Sequence, residues 1–195
     1  MMRRSAGGCA ASILLAAALS AGAATADAGE IADKAALAET LVERGYSEAA
    51  LAALDKSVAA FWAASPLQLR TIAFVDGVEG YGRYTPRDGA AFRNGDTLRL
   101  YFEPVGQTFA PDGDGVRAAL AVDVEIRTPG GLILGTAKDF ATLEWAGRTP
   151  MHEVQATVET RLPFLKAGDY LLLLTLRDRN SDKSAEVTLP FSVAG

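Results

Sequence analysis

The sequence predicts a mainly β fold in which an α-helical hairpin precedes an antiparallel β-sandwich, and three observations carry that expectation. Apolar residues recur at helical spacing as far as Trp62 and at a spacing of two from Leu67 onward. The alternating runs are short, and turn residues separate them. The chain also closes on two apolar runs, Leu171 to Leu176 and Ala185 to Val193, joined by a polar turn from Asp178 to Lys183.

Residues 1–26 precede these elements and read as a secretory signal peptide. Arg3 and Arg4 supply the positive start, Ala10 to Ala21 the apolar run, and Ala24-Thr25-Ala26 a small-residue cleavage site. The apolar run is shorter than the roughly 20 residues needed to span a bilayer, so export and cleavage are expected, without stable membrane insertion. The pair Arg3-Arg4 is followed by Ser5-Ala6-Gly7-Gly8, which lacks the apolar pair of a twin-arginine signal and points to ordinary Sec export. Cys9, the only cysteine, lies ahead of the apolar run, where lipidation does not occur. The mature chain therefore carries no disulfide, and its expected location is periplasmic or secreted.

Residues 27–66 are expected to form the hairpin. Ile31, Ala35, Ala38, Leu41 and Val42 mark one helical face, and Gly45 ends that pattern. Ser47 is placed to cap a second helix bearing Leu51, Leu54, Val58, Phe61 and Trp62, with Pro66 as its limit. This face is expected to cover apolar surface elsewhere in the protein, burying Phe61 and Trp62, with binding of a partner as the alternative. The turn Gly45-Tyr46-Ser47-Glu48-Ala49 resembles the second-helix start of a tetratricopeptide repeat. One unit of about 34 residues cannot bury a core alone, so the hairpin is expected to dock on the remainder.

Residues 67–195 are expected to form the sandwich. Leu98, Leu100 and Phe102 alternate with Thr97, Arg99, Tyr101 and Glu103, and Leu120, Val122, Val124 and Ile126 with Asp123, Glu125 and Arg127. Thr128-Pro129-Gly130-Gly131 is a turn, and Leu132 to Leu134 begins the return strand. Further strands are expected at Arg70 to Asp76, Phe140 to Trp145 and Glu153 to Thr160. About seven short strands with intervening turns point to a sandwich of the immunoglobulin or fibronectin kind.

Ala167-Gly168-Asp169-Tyr170, the apolar strand after it, Arg177-Asp178 and Leu189-Pro190-Phe191-Ser192-Val193 resemble the final hairpin of Ig-like domains in exported bacterial proteins. Gly80-Tyr81-Gly82-Arg83-Tyr84 and Tyr101-Phe102-Glu103-Pro104-Val105-Gly106 resemble recurring features of the same uncharacterised group. The resemblance implies a fold and attaches no activity to it.

The catalytic inventory is thin. His152 is the only histidine, no cysteine survives cleavage, and no serine lies in G-x-S-x-G or S-x-x-K. One histidine is too few for a nitrogen-ligated metal site. Asp112-Gly113-Asp114-Gly115 begins like an EF-hand loop but meets Val116, Arg117 and Asp123 where ligands or glycine are required, so a solvated loop is expected there. Asp178, Asn180 and Asp182 alternate in the last turn, with Lys183 as a competing charge. Glu79, Glu103 and Glu144 lie beside aromatics, but the sequence does not select a carboxylate pair. Gly77 to Gly82 lacks a strand-to-helix phosphate cradle and reads as a bulge at a sheet edge.

Cleavage would remove two of the 19 basic side chains and none of the 24 acidic ones, raising the net negative charge from −5 to −7. An acidic chain without clustered Lys or Arg is expected to bind no nucleic acid. Tyr81, Arg83, Tyr84 and Arg87 are the expected recognition surface, since tyrosine beside arginine combines contact area with charge-assisted hydrogen bonding. The expected function is that of an exported, non-catalytic binding or accessory protein without a cofactor. Its partner would be a periplasmic or cell-surface protein. The alternatives are a carbohydrate-binding module and a hydrolase with a carboxylate-based site.

Overall fold

The computed structural model describes residues 27–195, so the leader expected at residues 1–26 lies outside the described residues. Helices α1 (Asp27–Glu43) and α2 (Ser47–Ala64) open the described chain. Gly45 ends the first helical pattern as expected: it adopts φ 80°, and its N–H donates to the Val42 carbonyl at 2.9 Å. The helices meet through small residues, because Ala38, Ala50, Ala53 and Ser57 are the buried positions. Ser57 Oγ also donates to the Ile31 carbonyl at 2.9 Å.

The face of α2 expected to be covered is not the one that packs. Ala50, Ala53 and Ser57 lie on one side of the helix; at about 100° per residue Leu51 and Val58 turn away from it, while Leu54 and Phe61 flank it. Leu51 stays 61% exposed and Phe61 49%. Trp62 is half-buried. Small side chains let the two axes approach closely, which leaves the bulky ones outside the contact.

Ten strands follow among the described residues: β1 (Gln68–Gly80), β2 (Arg83–Pro86), β3 (Ala91–Phe92), β4 (Thr97–Val105), β5 (Ala110–Asp112), β6 (Gly115–Arg127), β7 (Ile133–Gly147), β8 (Ala156–Arg161), β9 (Gly168–Asp178) and β10 (Ser184–Val193). One sheet has the order β2-β1-β4-β8, with every pairing antiparallel. The other runs β3-β10-β9-β6, with β5 and β7 also on β6, and only its β3–β10 pairing is parallel. Leu98, Leu100 and Phe102 of the first sheet and Leu120, Val122, Leu172 and Leu174 of the second share one apolar core.

β7 joins two segments that the sequence reading had separated. Lys138-Asp139 interrupts the apolar alternation yet forms a bulge instead of a turn: Val122 pairs with Ala141, and Val124 with Ala137. Asp139 takes φ 49°, and its N–H donates to Asp123 Oδ1 at 2.8 Å. Arg177 binds both Asp123 and Asp139 at 2.9 Å, pinning the bulge. Two further irregularities in β1, at Val75/Gly77 and Val78/Gly80, fit the bulge expected at Gly77 to Gly82.

Candidate functional site

Tyr81, Arg83, Tyr84 and Arg87 lie at the end of the first sheet, on and beside β2. Tyr84 stacks on Tyr101 with ring centroids 4.4 Å apart. The Tyr101 hydroxyl donates to Glu103 Oε1 at 2.6 Å and accepts the Gly82 N–H at 2.8 Å. Thr71 and Arg70 also donate to Glu103, at 3.0 and 3.4 Å. Tyr101 and Glu103 were expected on the polar face of β4, but the Gly80–Tyr84 segment folds over them and buries both.

Burial and the hydrogen bond to Glu103 push the Tyr101 phenol up to about 12. For Glu103, burial pulls upward, and the hydrogen bonds from Tyr101 and Thr71 with the Arg70 charge outweigh it, leaving the carboxyl below its usual range. Arg87 is committed to Asp76 at 3.2 Å, to the Ala91 carbonyl at 3.1 Å and to the face of Phe92 at 4.5 Å. Arg83 donates to the Glu79 carbonyl at 3.3 Å, and Arg70 lies over the Tyr81 ring at 5.8 Å.

A cavity of about 650 Å³ opens between α2 and one end of the β-rich domain. Its walls come from four separate stretches of chain: Val58, Trp62 and Ala63 on α2, Gln107 to Phe109 after β4, Thr149, Pro150 and His152 after β7, and Lys183 before β10. The approach of α2 depends on Gly106. With φ 87°, it lies where an added Cβ would come within 2.3 Å of the Pro66 carbonyl oxygen. The linker between helix and sheet therefore passes directly over a glycine.

Lys183 fastens the junction. Its Nζ donates to the Trp62 carbonyl at 3.1 Å and to the Gly106 carbonyl at 2.9 Å. Trp62 belongs to the last turn of α2, whose carbonyls have no partners within the helix and which carries no basic residue of its own. A lysine distant in sequence thus caps this end. Burial lowers its pKa, and the nearby Asp178 charge acts in the opposite sense.

His152 packs on Trp62 with centroids 4.3 Å apart. Burial lowers its pKa against the pull of Asp55, which favours the neutral imidazole. Gln107 has no exposed surface, and neither its Oε1 nor its Nε2 has a hydrogen-bond partner. Trp62 Nε1 is also buried and unpartnered. The cavity thus brings together three unsatisfied polar atoms among apolar walls. Sequence reasoning noted His152, Trp62 and Lys183 separately and missed Gln107, because nothing local distinguishes a buried glutamine.

The remaining candidates have structural partners. Asp112 pairs with Arg117 at 2.8 Å in the β5–β6 hairpin. Asp178 accepts from the Thr108 N–H at 2.7 Å and the Asn180 N–H at 2.9 Å, fixing the last turn. Glu79 and Glu103 belong to the first sheet, whereas Glu144 belongs to the second and faces Arg117 at 3.8 Å. Among the described residues, no three His, Cys, Asp or Glu side chains form a group able to hold a metal ion. No described helix is long and apolar enough to cross a membrane.

No family model matches the chain, and neither does a curated relative. Among solved structures, the chain is similar to the Pseudomonas fluorescens alkylpurine DNA glycosylase AlkC, at 12% identity and TM-score 0.36, over 82% of this chain and 42% of that one. It is also similar to a chitin binding domain from Burkholderia pseudomallei, at 10% identity and TM-score 0.32, over 55% and 57% of the respective chains. A third likeness is to the PmoD soluble domain from Methylocystis sp. ATCC 49242, at 22% identity and TM-score 0.27, over 54% and 78%. The chain spans less than half the length of the glycosylase. Likenesses at these TM-scores carry no argument about activity.

Proposed function

We propose that this chain is an exported, non-catalytic binding or accessory protein that acts through protein contacts, its partner lying along α2. The observation that carries this reading is an uncovered apolar stripe, with Leu51, Leu54 and Phe61 exposed on the face that continues through Val58 and Trp62 into the cavity. Half of the exposed large apolar residues in the described chain belong to the hairpin: Leu37, Val42, Tyr46, Leu51, Leu54 and Phe61. Clustered apolar exposure of this kind marks interaction surfaces, and an amphipathic helix binds through such a stripe.

The β-rich domain serves as the scaffold, and we read it as immunoglobulin- or fibronectin-like. Tyr170 near the start of β9 supports this, since its hydroxyl donates back to the Lys166 carbonyl at 2.7 Å in the manner of a tyrosine corner. The surface at Tyr81, Arg83, Tyr84 and Arg87 is proposed as a second contact.

In-cell crosslinking of the exported protein tests the reading. A variant carrying Leu51→Gln, Leu54→Gln and Phe61→Gln keeps its fold, because these side chains are exposed, and loses the crosslinked partner. Tyr81→Ala with Tyr84→Ala tests the second surface in the same assay. Equal partner recovery from wild type and the α2 variant refutes the α2 reading. An exported chain whose N-terminus is not Asp27 refutes the expected cleavage.

A further inference from the structure

We propose that the cavity between α2 and the β-rich domain receives one apolar side chain of a partner polypeptide together with an adjoining backbone amide. This deepens the reading of α2 as a binding face and rests on it. The chemistry of the walls selects the ligand. Gln107 carries an unpartnered NH₂ donor and an unpartnered C=O acceptor on a single planar group, which is the complement of an amide N–H and C=O. Trp62 Nε1 adds a second donor. Val58, Ala63, Phe109 and Pro150 supply the apolar part of the lining, and the cavity volume lies within the roughly 300–1,000 Å³ of small-ligand sites.

Charge excludes other ligands. Two of the three Lys183 N–H donors are taken by the Trp62 and Gly106 carbonyls, and burial disfavours the charged form of both Lys183 and His152, so the lining is a poor site for a carboxylate or phosphate. Asp55 is the only acid in the lining. A sugar needs an open aromatic face and several hydroxyl-binding groups, whereas one face of Trp62 is already covered by His152. The amide atoms of Gln107 and the indole N–H are buried in the unliganded fold, so engaging them requires the Gln107 side chain to turn into the cavity.

The test is an NMR titration of the ¹⁵N-labelled exported chain with three probes: N-acetyl-L-leucinamide, its depsi analogue lacking the acetamide N–H, and N,N′-diacetylchitobiose. The leucinamide is expected to shift the Trp62 indole and Gln107 side-chain amide signals to saturation, with the depsi analogue binding at least about tenfold more weakly. Gln107→Met should abolish that discrimination. Ala59→Phe, at an exposed helix position on the cavity wall, should block binding without touching Gln107.

Equal binding of the leucinamide and the depsi analogue overturns the proposal, as does undiminished discrimination in Gln107→Met. Tighter binding of the chitobiose overturns it in favour of a sugar. If the α2 stripe still crosslinks to its partner while no probe shifts these signals, the ligand assignment fails and the α2 reading stands. If crosslinking is insensitive to the stripe, the α2 reading itself has failed.

Discussion

Gln107 should destabilise the empty protein, and replacing it with methionine should reveal by how much. Methionine keeps an unbranched side chain of similar length and removes both unpartnered amide atoms, Oε1 and Nε2. A buried polar group without a partner costs about 1–3 kcal/mol, and the lower figure for each atom gives a gain of about 2 kcal/mol for Gln107→Met. At roughly 2–4 °C per kcal/mol for a chain of this size, Tm should rise by about 4–8 °C. Scanning calorimetry reads this directly. Gln107→Ala is the control, because it removes the same atoms but leaves a void, so its gain should be smaller. A Tm for Gln107→Met equal to or below wild type refutes the reasoning. It would mean that the amide is satisfied in solution, and the ligand assignment would lose its main support.

Four further outcomes follow from the geometry. Gly106→Ala places a Cβ 2.3 Å from the Pro66 carbonyl at a left-handed φ, and should cost more than the roughly 1–2 kcal/mol of that conformation alone; an unchanged urea midpoint would contradict the close linker passage. Tyr101→Phe removes the donor to buried Glu103 and the acceptor of Gly82 N–H, at a cost of about 1–3 kcal/mol, and should raise the Glu103 pKa in a carboxyl NMR titration. With a folded pKa near 12, raised above the unfolded one, Tyr101 contributes stability that is complete below the ordinary tyrosine range and lost as pH rises toward 12, so one tyrosine should ionise late in an ultraviolet titration. His152 has the opposite sign: its folded pKa lies below the ordinary 6.5, so its contribution is complete above that value and lost as pH falls beneath it. Acid unfolding curves of wild type and His152→Phe should therefore diverge between neutral and mildly acidic pH, and superimposable curves would remove His152 from the account.

The elements legible in the sequence were those written in local chemistry. Gly45 marks the end of α1 because the chain must enter the left-handed region there. The even-numbered core residues of β4 and β6 announce their strands by spacing. The packing face of α2 was hidden because periodicity weights Leu51, Leu54 and Phe61, whereas close helix contact selects Ala50, Ala53 and Ser57. β7 was read as two strands because its bulge depends on Asp123 and Arg177, which are distant in sequence. The cavity was illegible for the same reason: Trp62, Gln107, His152 and Lys183 become neighbours only when the linker crosses Gly106.

Lys183 joins the end of α2 to the β-rich domain. Its ammonium is the cationic cap of α2, supplied from the last turn before β10, and it holds the helix end against the Gly106 carbonyl. Lys183→Met preserves the apolar stem and deletes the donors, leaving the Trp62 and Gly106 carbonyls without them. Relief of the lysine's burial offsets part of that loss, so global stability should change less than the docking of α2 does. Hydrogen exchange separates these effects: amides of α2 should exchange faster in Lys183→Met, while those of β6 and β9, where the core lies, should keep wild-type protection. Uniform loss of protection across both regions would show that the lysine supports the fold as a whole. Unchanged protection in both would show that the hairpin is held by other contacts. A selective loss, accompanied by weaker leucinamide binding, would establish that the cavity exists only while this one ammonium holds the helix in place.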